Sequence, residues 1–141
     1  LFNHESPYRS DQFVTKKIIE GALKSCKDKS HMISLGNIDI GRDWGWAEEY
    51  MEAIQSINNS HKVKDQLICT GTLTTLKCFI DITFSKLGLN WKNHIKTNKN
   101  LSRKSDILMS YGNPIQLKTD LDWEPVIKIE EIIERLIVSN T

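Results

Sequence analysis

The sequence predicts an α/β fold made mostly of helices, with short strands between them. Three observations lead there. Apolar residues recur at helical spacing in four separate stretches, and the apolar runs between them are only three or four residues long. Gly-Asn, Asn-Asn and Gly-Asn-Pro steps punctuate the order. Finally, no GxGxxG turn follows any strand, and Tyr8, Tyr50 and Tyr111 are followed four places on by Gln12, Ile54 and Ile115 rather than lysine. A complete doubly wound nucleotide-binding sheet is therefore not expected.

Taken in order, Leu1-Phe2 reads as the end of a strand running into Asn3-His4-Glu5-Ser6-Pro7. Asp11 to Cys26 reads as a helix with Val14, Ile18, Ile19, Ala22, Leu23 and Cys26 on one stripe and Ser10 or Asp11 as its cap. Met32 to Leu35 is a strand stopped by Gly36-Asn37. Gly45 to Ile57 is a second helix, burying Ala47, Tyr50, Met51, Ile54 and Ile57, capped by Asp43 and ended by Asn58-Asn59. Gln66 to Cys69 reads as a strand. The third helix carries Leu76, Phe79, Ile80, Thr83 and Leu87, with Gly88 as its stop. A short strand at His94 to Thr97 follows. Asn113 caps a helix whose first position is Pro114, and Trp123-Glu124-Pro125 breaks it. The last helix presents Ile129, Ile132, Ile133, Leu136 and Ile137, with Glu130 and Glu131 at its positive end.

Composition narrows the function classes. At 141 residues the chain has the size of one domain, and 39% hydrophobic residues suffice for a small core. Nineteen basic against eighteen acidic side chains leave a charge of +1, so no broad field draws nucleic acid or an anionic membrane. No apolar run is long enough to span a bilayer. Three cysteines (Cys26, Cys69, Cys78) without CxxC spacing argue against a disulfide framework or a zinc site, and suit a reducing, cytoplasmic setting with all three buried or inert. His31, His61 and His94 lack metal-ligand spacing, and the tryptophans read as packing residues.

Four clusters could carry chemistry. Asn3, His4 and Arg9 surround the Ser6-Pro7 turn, where a guanidinium can grip a phosphate through two parallel hydrogen bonds; by the residues alone an ordinary surface turn is the favoured reading. Phe13 to Lys17 open a helix, and helix amides attract anions, although a Lys-Lys pair also fits a solvated face. Leu35-Gly36-Asn37 with Arg42-Asp43-Trp44-Gly45 offers close backbone approach, an amide and a cation; its plain alternative is a strand-to-helix turn. Arg103 and Asp106 precede Gly112-Asn113-Pro114; a phosphate and ribose contact is one reading, but by themselves such pairs are more often surface ion pairs.

These stretches together resemble the GDP-mannose 4,6-dehydratases, members of the extended short-chain dehydrogenase group. Asn-His-Glu-Ser-Pro with Phe-Val-Thr-Lys-Lys-Ile matches the family's NHESP region, and Leu35 to Ala47 matches LGNxDxxRDWGHA. The resemblance departs at Tyr8, where the family has a basic residue, at Trp46, where it has histidine, and at Lys104 and Asp106, where its pattern is Arg-Pro-x-Glu. It implies a C-terminal substrate-binding portion whose Rossmann half is largely absent: residues 1–10 form the strand end and cofactor loop, and 11–141 the sugar-nucleotide domain. It implies NADP contacts at His4 and Arg9. Substrate contacts are implied at Asn3, Val14, Lys17, Leu35, Gly36, Asn37, Arg42, Arg103 and Asp106. The implied reaction turns GDP-mannose into GDP-4-keto-6-deoxy-mannose. Hydride leaves C4 for NADP, water is lost across C5 and C6, and hydride returns to C6. The catalytic Thr, Glu, Tyr and Lys would lie in the other half, so no residue here is assigned a catalytic role and this chain alone is expected to be inactive. A homo-oligomer is implied for the full-length form. A related epimerase or reductase, or a non-catalytic nucleotide-sugar binder, are the alternative readings.

Overall fold

A computed structural model describes residues 1–61, 64–101 and 105–141. The strands are β1 (Asn3–Glu5), β2 (Ile33–Leu35), β3 (Gly41–Arg42), β4 (Trp44–Trp46), β5 (Thr74–Thr75), β6 (Ile95–Thr97) and β7 (Met109–Ser110). The helices are α1 (Val14–Lys27), α2 (Ala47–Asn59), α3 (Leu76–Lys86), α4 (Ile115–Leu121) and α5 (Ile129–Val138). The strands form three small ribbons. β1 lies parallel to β4, β2 lies parallel to β6, and β3 is central between antiparallel β5 and parallel β7. Parallel pairs need long crossovers, and here the intervening helices supply them.

The β1–β4 ribbon divides two cores. Its register sets Glu5 opposite Trp46 and His4 opposite Gly45, and alternation sends these pairs to opposite faces. On one face lie Trp44, Trp46 and the large core of α1, α3 and α5: Ile18, Ile19 and Ala22, then Phe79, Ile80 and Phe84, then Ile132, Ile133 and Leu136. On the other lies a smaller core of Tyr50, Ala53, Ile68 and Leu117. Gly45 is fixed by that second face, because a Cβ there would sit 2.3 Å from the Tyr50 ring. Gly88, at φ +67°, stops α3 as its position predicts.

Several local expectations fail for identifiable reasons. Neither Ser10 nor Asp11 caps α1: the helix starts three residues later, at Val14, with no side-chain cap. Asp43 does not cap α2 but turns inward to bind other loops. On α2 the buried face is Glu49, Tyr50 and Ala53, so Met51 and Ile54 point outward; the neighbouring ribbon, rather than the apolar count, sets the rotation. Gln66 to Cys69 forms no strand, although Ile68 and Cys69 are buried and Phe2 N–H donates to the Ile68 carbonyl at 2.9 Å. Cys26 and Cys78 are exposed, and only Cys69 is buried. Among the described residues no helix is long and apolar enough to cross a membrane.

Candidate functional site

Two parallel strands ending in register carry two loops to the same place. Leu35 and Thr97 are partners at the ends of β2 and β6, and Asn98 N–H donates to the Leu35 carbonyl at 2.7 Å. Both chains then turn on asparagine side chains: Asn37 Oδ1 accepts from Asp39 N–H at 2.9 Å, and Asn98 Oδ1 from Asn100 N–H at 3.0 Å. The space outside these carboxyl ends is a cavity of ≈ 330 Å³ lined by Gly36, Asn37, Ile38, Asp39, Thr97, Asn98, Lys99 and Asp106. That is where open α/β folds receive ligands. Its lining offers amides, carboxylates and an ammonium, the groups that read a base edge or ribose hydroxyls. Leu35 itself is buried in the core beneath it.

Arg42 borders this cavity through Asp106. Its Nη2 donates to Asp106 Oδ1 at 3.3 Å, and its Nη1 donates to the Gly41 and Ile107 carbonyls, both at 2.7 Å. The corner that carries Arg42 is fixed by its neighbour. Asp43 is fully buried; its Oδ1 accepts from Thr70 N–H (2.8 Å) and Thr70 Oγ1 (2.7 Å), and its Oδ2 from Gly71 N–H (2.9 Å) and Gly112 N–H (3.4 Å). One carboxylate thus ties together loops far apart in sequence. Gly112 precedes Asn113, whose Oδ1 accepts from Ile115 N–H at the start of α4. Arg103 lies outside the described residues.

A second cluster sits on β1 and the loop after it. His4 Nδ1 donates to the Phe2 carbonyl at 3.0 Å, which commits that nitrogen's proton and leaves Nε2 for another contact. Asn3 is exposed, whereas Glu5 is 1% exposed. Thr15 Oγ1 donates to Glu5 Oε2 at 2.9 Å, and Arg9 Nε stands 3.6 Å from the same oxygen. The Arg9 guanidinium lies over the Phe13 ring, 3.6 Å from its centroid. Burial pushes the Glu5 carboxyl up to about 7, against the pull of Arg9 and of the Thr15 hydroxyl. On α1, Val14 packs against the large core, and Lys17 Nζ donates to the Ser34 carbonyl at 2.7 Å.

The structure therefore gathers Gly36, Asn37 and Asp106 in one cavity with Arg42 at its edge, and Asn3, His4 and Arg9 in a separate cluster. Sequence reasoning missed Glu5, Asp39, Thr97, Asn98 and Lys99. For Glu5 a signal existed: alternation along β1 places it on the face opposite His4, ten residues before a threonine on the adjoining helix. For the β6 loop none did, because parallel pairing with β2 is a long-range event. Trp46 is absorbed into the core: it is buried, donates from Nε1 to Glu48 at 3.3 Å, and lies under Arg135, whose guanidinium carbon is 5.3 Å from the ring. Among the described residues no group of three His, Cys, Asp or Glu side chains could hold a metal ion.

The family model for GDP-mannose 4,6 dehydratase matches residues 1–136. GDP-mannose 4,6 dehydratase 1 of Arabidopsis thaliana is 34% identical over 137 residues, covering 97% of this chain and 38% of that protein. The Homo sapiens GDP-mannose 4,6 dehydratase is 29% identical over 154 residues, 97% of this chain and 41% of the relative. The chain thus spans about two fifths of the length of the curated relatives it matches. Among solved structures, RMD from Pseudomonas aeruginosa complexed with NADPH superposes with a TM-score of 0.85 at 16% identity, over 97% of this chain and 45% of that one. The dTDP-glucose 4,6-dehydratase of Bacillus anthracis in complex with NAD gives 0.83 at 18%, over 98% and 42%. At such identities the likeness establishes the fold alone: five helices with short strands among the described residues, matching less than half of each of those structures.

Proposed function

The chain belongs to the GDP-mannose 4,6-dehydratase family, and from that premise we propose that it forms the sugar-nucleotide-binding part of an enzyme converting GDP-mannose to its 4-keto-6-deoxy product. The observation that carries this reading is the cavity at the ends of β2 and β6, with Asn37, Asp39 and Asp106 in its wall and Arg42 at its edge. On this reading Asn37 and Asp106 take the nucleoside, while Arg42 with Arg103 neutralises the diphosphate. Gly36 permits the backbone to approach the ligand, Leu35 anchors the loop, Lys17 adds charge, and Val14 and Asn3 contact the nucleotide and the sugar. With a net charge of only +1 the chain has no broad positive field, so on this reading the diphosphate is held by local contacts.

NADP fits the second cluster in one respect. Arg9 turns its Nε toward Glu5 at 3.6 Å, which leaves its two terminal nitrogens to face an anion. His4, with Nδ1 committed, would add a contact from Nε2. When bound, NADP supplies hydride transfer for a dehydration that is redox-neutral overall. The residues of this chain orient ligands and take no proton; the reacting groups belong to the remainder of such an enzyme, and by itself the chain is inactive. The protein works in the cytoplasm as a homo-oligomer.

Calorimetric titration of the chain with GDP-mannose and with GDP tests the reading. Both bind, and Arg42→Ala weakens both by at least about tenfold, the loss of a charge-assisted contact to phosphate. A folded chain that binds neither ligand sinks the assignment of the cavity.

A further inference from the structure

Glu5 is a buried carboxylate with a hydroxyl and a guanidinium on one oxygen. It is 1% exposed, it faces Trp46 across the ribbon, and its contacts from α1 and the following loop are Thr15 and Arg9. Arg9 is the nearby cation, and Tyr8, at 95% exposure, stands where a second one would be expected from the resemblance. Arg9 Nε is buried without a hydrogen-bond partner, 3.6 Å from Glu5 Oε2, just beyond bonding range. Its guanidinium meanwhile lies over the Phe13 ring, 3.6 Å from the centroid. A guanidinium held by one edge and one face has only its far edge left, with two parallel N–H donors.

We infer that Glu5 is a positioning residue: with the Phe13 ring it clamps Arg9 so that the two terminal nitrogens meet the oxygens of a ligand phosphate as one bidentate pair. The inference rests on the assignment of Arg9 to an anionic group of the cofactor. In the clamp Glu5 does through geometry what a second cation would do through charge. Closing the 3.6 Å gap by a few tenths of an ångström, on the order of ordinary side-chain adjustment, converts the ion contact into a charge-assisted hydrogen bond that orients the guanidinium. The carboxylate carries a cost, because burial favours its neutral form and its ionised form is disfavoured in the fold at neutral pH and above.

Simple charge arithmetic and the clamp predict opposite outcomes. Removing a negative charge beside an anion site should tighten binding if Glu5 acts only as a charge, and weaken it if Glu5 orients Arg9. The full chain is titrated with inorganic pyrophosphate at a pH above the Glu5 titration. Binding is followed by NMR at the Arg9 Nε–Hε resonance, so that pyrophosphate held elsewhere does not count. Glu5→Gln is expected to weaken binding about fivefold and to let the Nε–H exchange faster with water. Phe13→Leu, which leaves the carboxylate in place, should weaken it about threefold. Because Glu5→Gln is expected to be the more stable protein at this pH, weaker binding cannot be laid to unfolding; circular dichroism checks this. Equal or tighter binding in Glu5→Gln overturns the clamp while leaving Arg9 as an anion contact. Absence of a pyrophosphate response at Arg9 in the unsubstituted chain overturns both, and leaves the GDP reading of the other cavity to its own titration.

Discussion

Two arginines of this chain each sit beside a buried carboxylate, and the two pairs are built in opposite ways. Near Arg42, Asp43 receives four donors from two remote loops, three of them backbone N–H groups. Near Arg9, Glu5 receives one hydroxyl and a guanidinium held slightly too far for a hydrogen bond. The first carboxylate is saturated and serves the fold; Arg42 gains a fixed backbone from it without touching it. At the second it is the Arg9 Nε that lacks a partner, and Glu5 supplies one when Arg9 is drawn into place. A buried acid can therefore be architecture or adjustment, and the number of donors around it tells which.

The sharpest way to break this contrast is at Asp43. Asp43→Ala leaves three backbone amides and the Thr70 hydroxyl without their acceptor in a fully buried setting. The expected loss is roughly 3–5 kcal/mol of unfolding free energy, because each orphaned donor keeps its desolvation penalty. Asp43→Asn should recover only part, since an NH₂ would face the Gly71 and Gly112 amides. Urea unfolding measures both. A loss under about 1 kcal/mol in the alanine variant would mean that the loops find other partners, and the saturated-carboxylate account would fail.

Glu5 should respond with the opposite sign. Its carboxyl titrates near 7 in the folded protein against 4.5 ordinarily. As pH rises past 4.5 the unfolded chain releases this proton while the folded chain holds it, so stability falls across the window from about 4.5 to about 7 and is lowest above it. The shift corresponds to roughly 3 kcal/mol. Glu5→Gln keeps an acceptor for Thr15 and removes the penalty. It should thus be more stable than the unsubstituted chain above pH 7, by up to about 3 kcal/mol, with the difference shrinking toward pH 4.5. Unfolding at both ends of that window decides it; a difference that does not change with pH would detach Glu5 from the titration.

Legibility in the sequence follows the same division between local and remote. The helices were readable wherever a local apolar stripe met the core: α1, α3 and α5 contribute Ile18, Phe79 and Ile132 as their spacing predicts. Gly88 also acts where it was placed, whereas Asn113 falls one residue short of the cap: Pro114 takes the cap position of α4, and Asn113 Oδ1 accepts from Ile115 N–H across it. Asp43 was misread for the converse reason. An aspartate just before a helix looks like a cap, and only the folded positions of Thr70, Gly71 and Gly112 reveal the stronger claim on it. Asn37 and Gly36 could be nominated from their motif, whereas Thr97, Asn98 and Lys99 enter the cavity only through the pairing of β2 with β6. The site's first half is local sequence and its second half is topology.

The smallest effect tests whether Arg42 depends on its visible partner. Asp106 is 3.3 Å from Arg42 Nη2, but both side chains are partly exposed, and Arg42 Nη1 already has the Gly41 and Ile107 carbonyls at 2.7 Å. Solvent screens such a pair, so Asp106→Asn should change stability by less than about 1 kcal/mol. Its influence on GDP binding should be larger than its influence on the fold, because the same carboxylate lines the cavity where a ribose would need an acceptor. Unfolding and GDP titration of one variant separate the two. If stability fell by as much as in Asp43→Ala, Asp106 would belong with the architecture, and the line drawn between saturated and adjustable carboxylates would have to move.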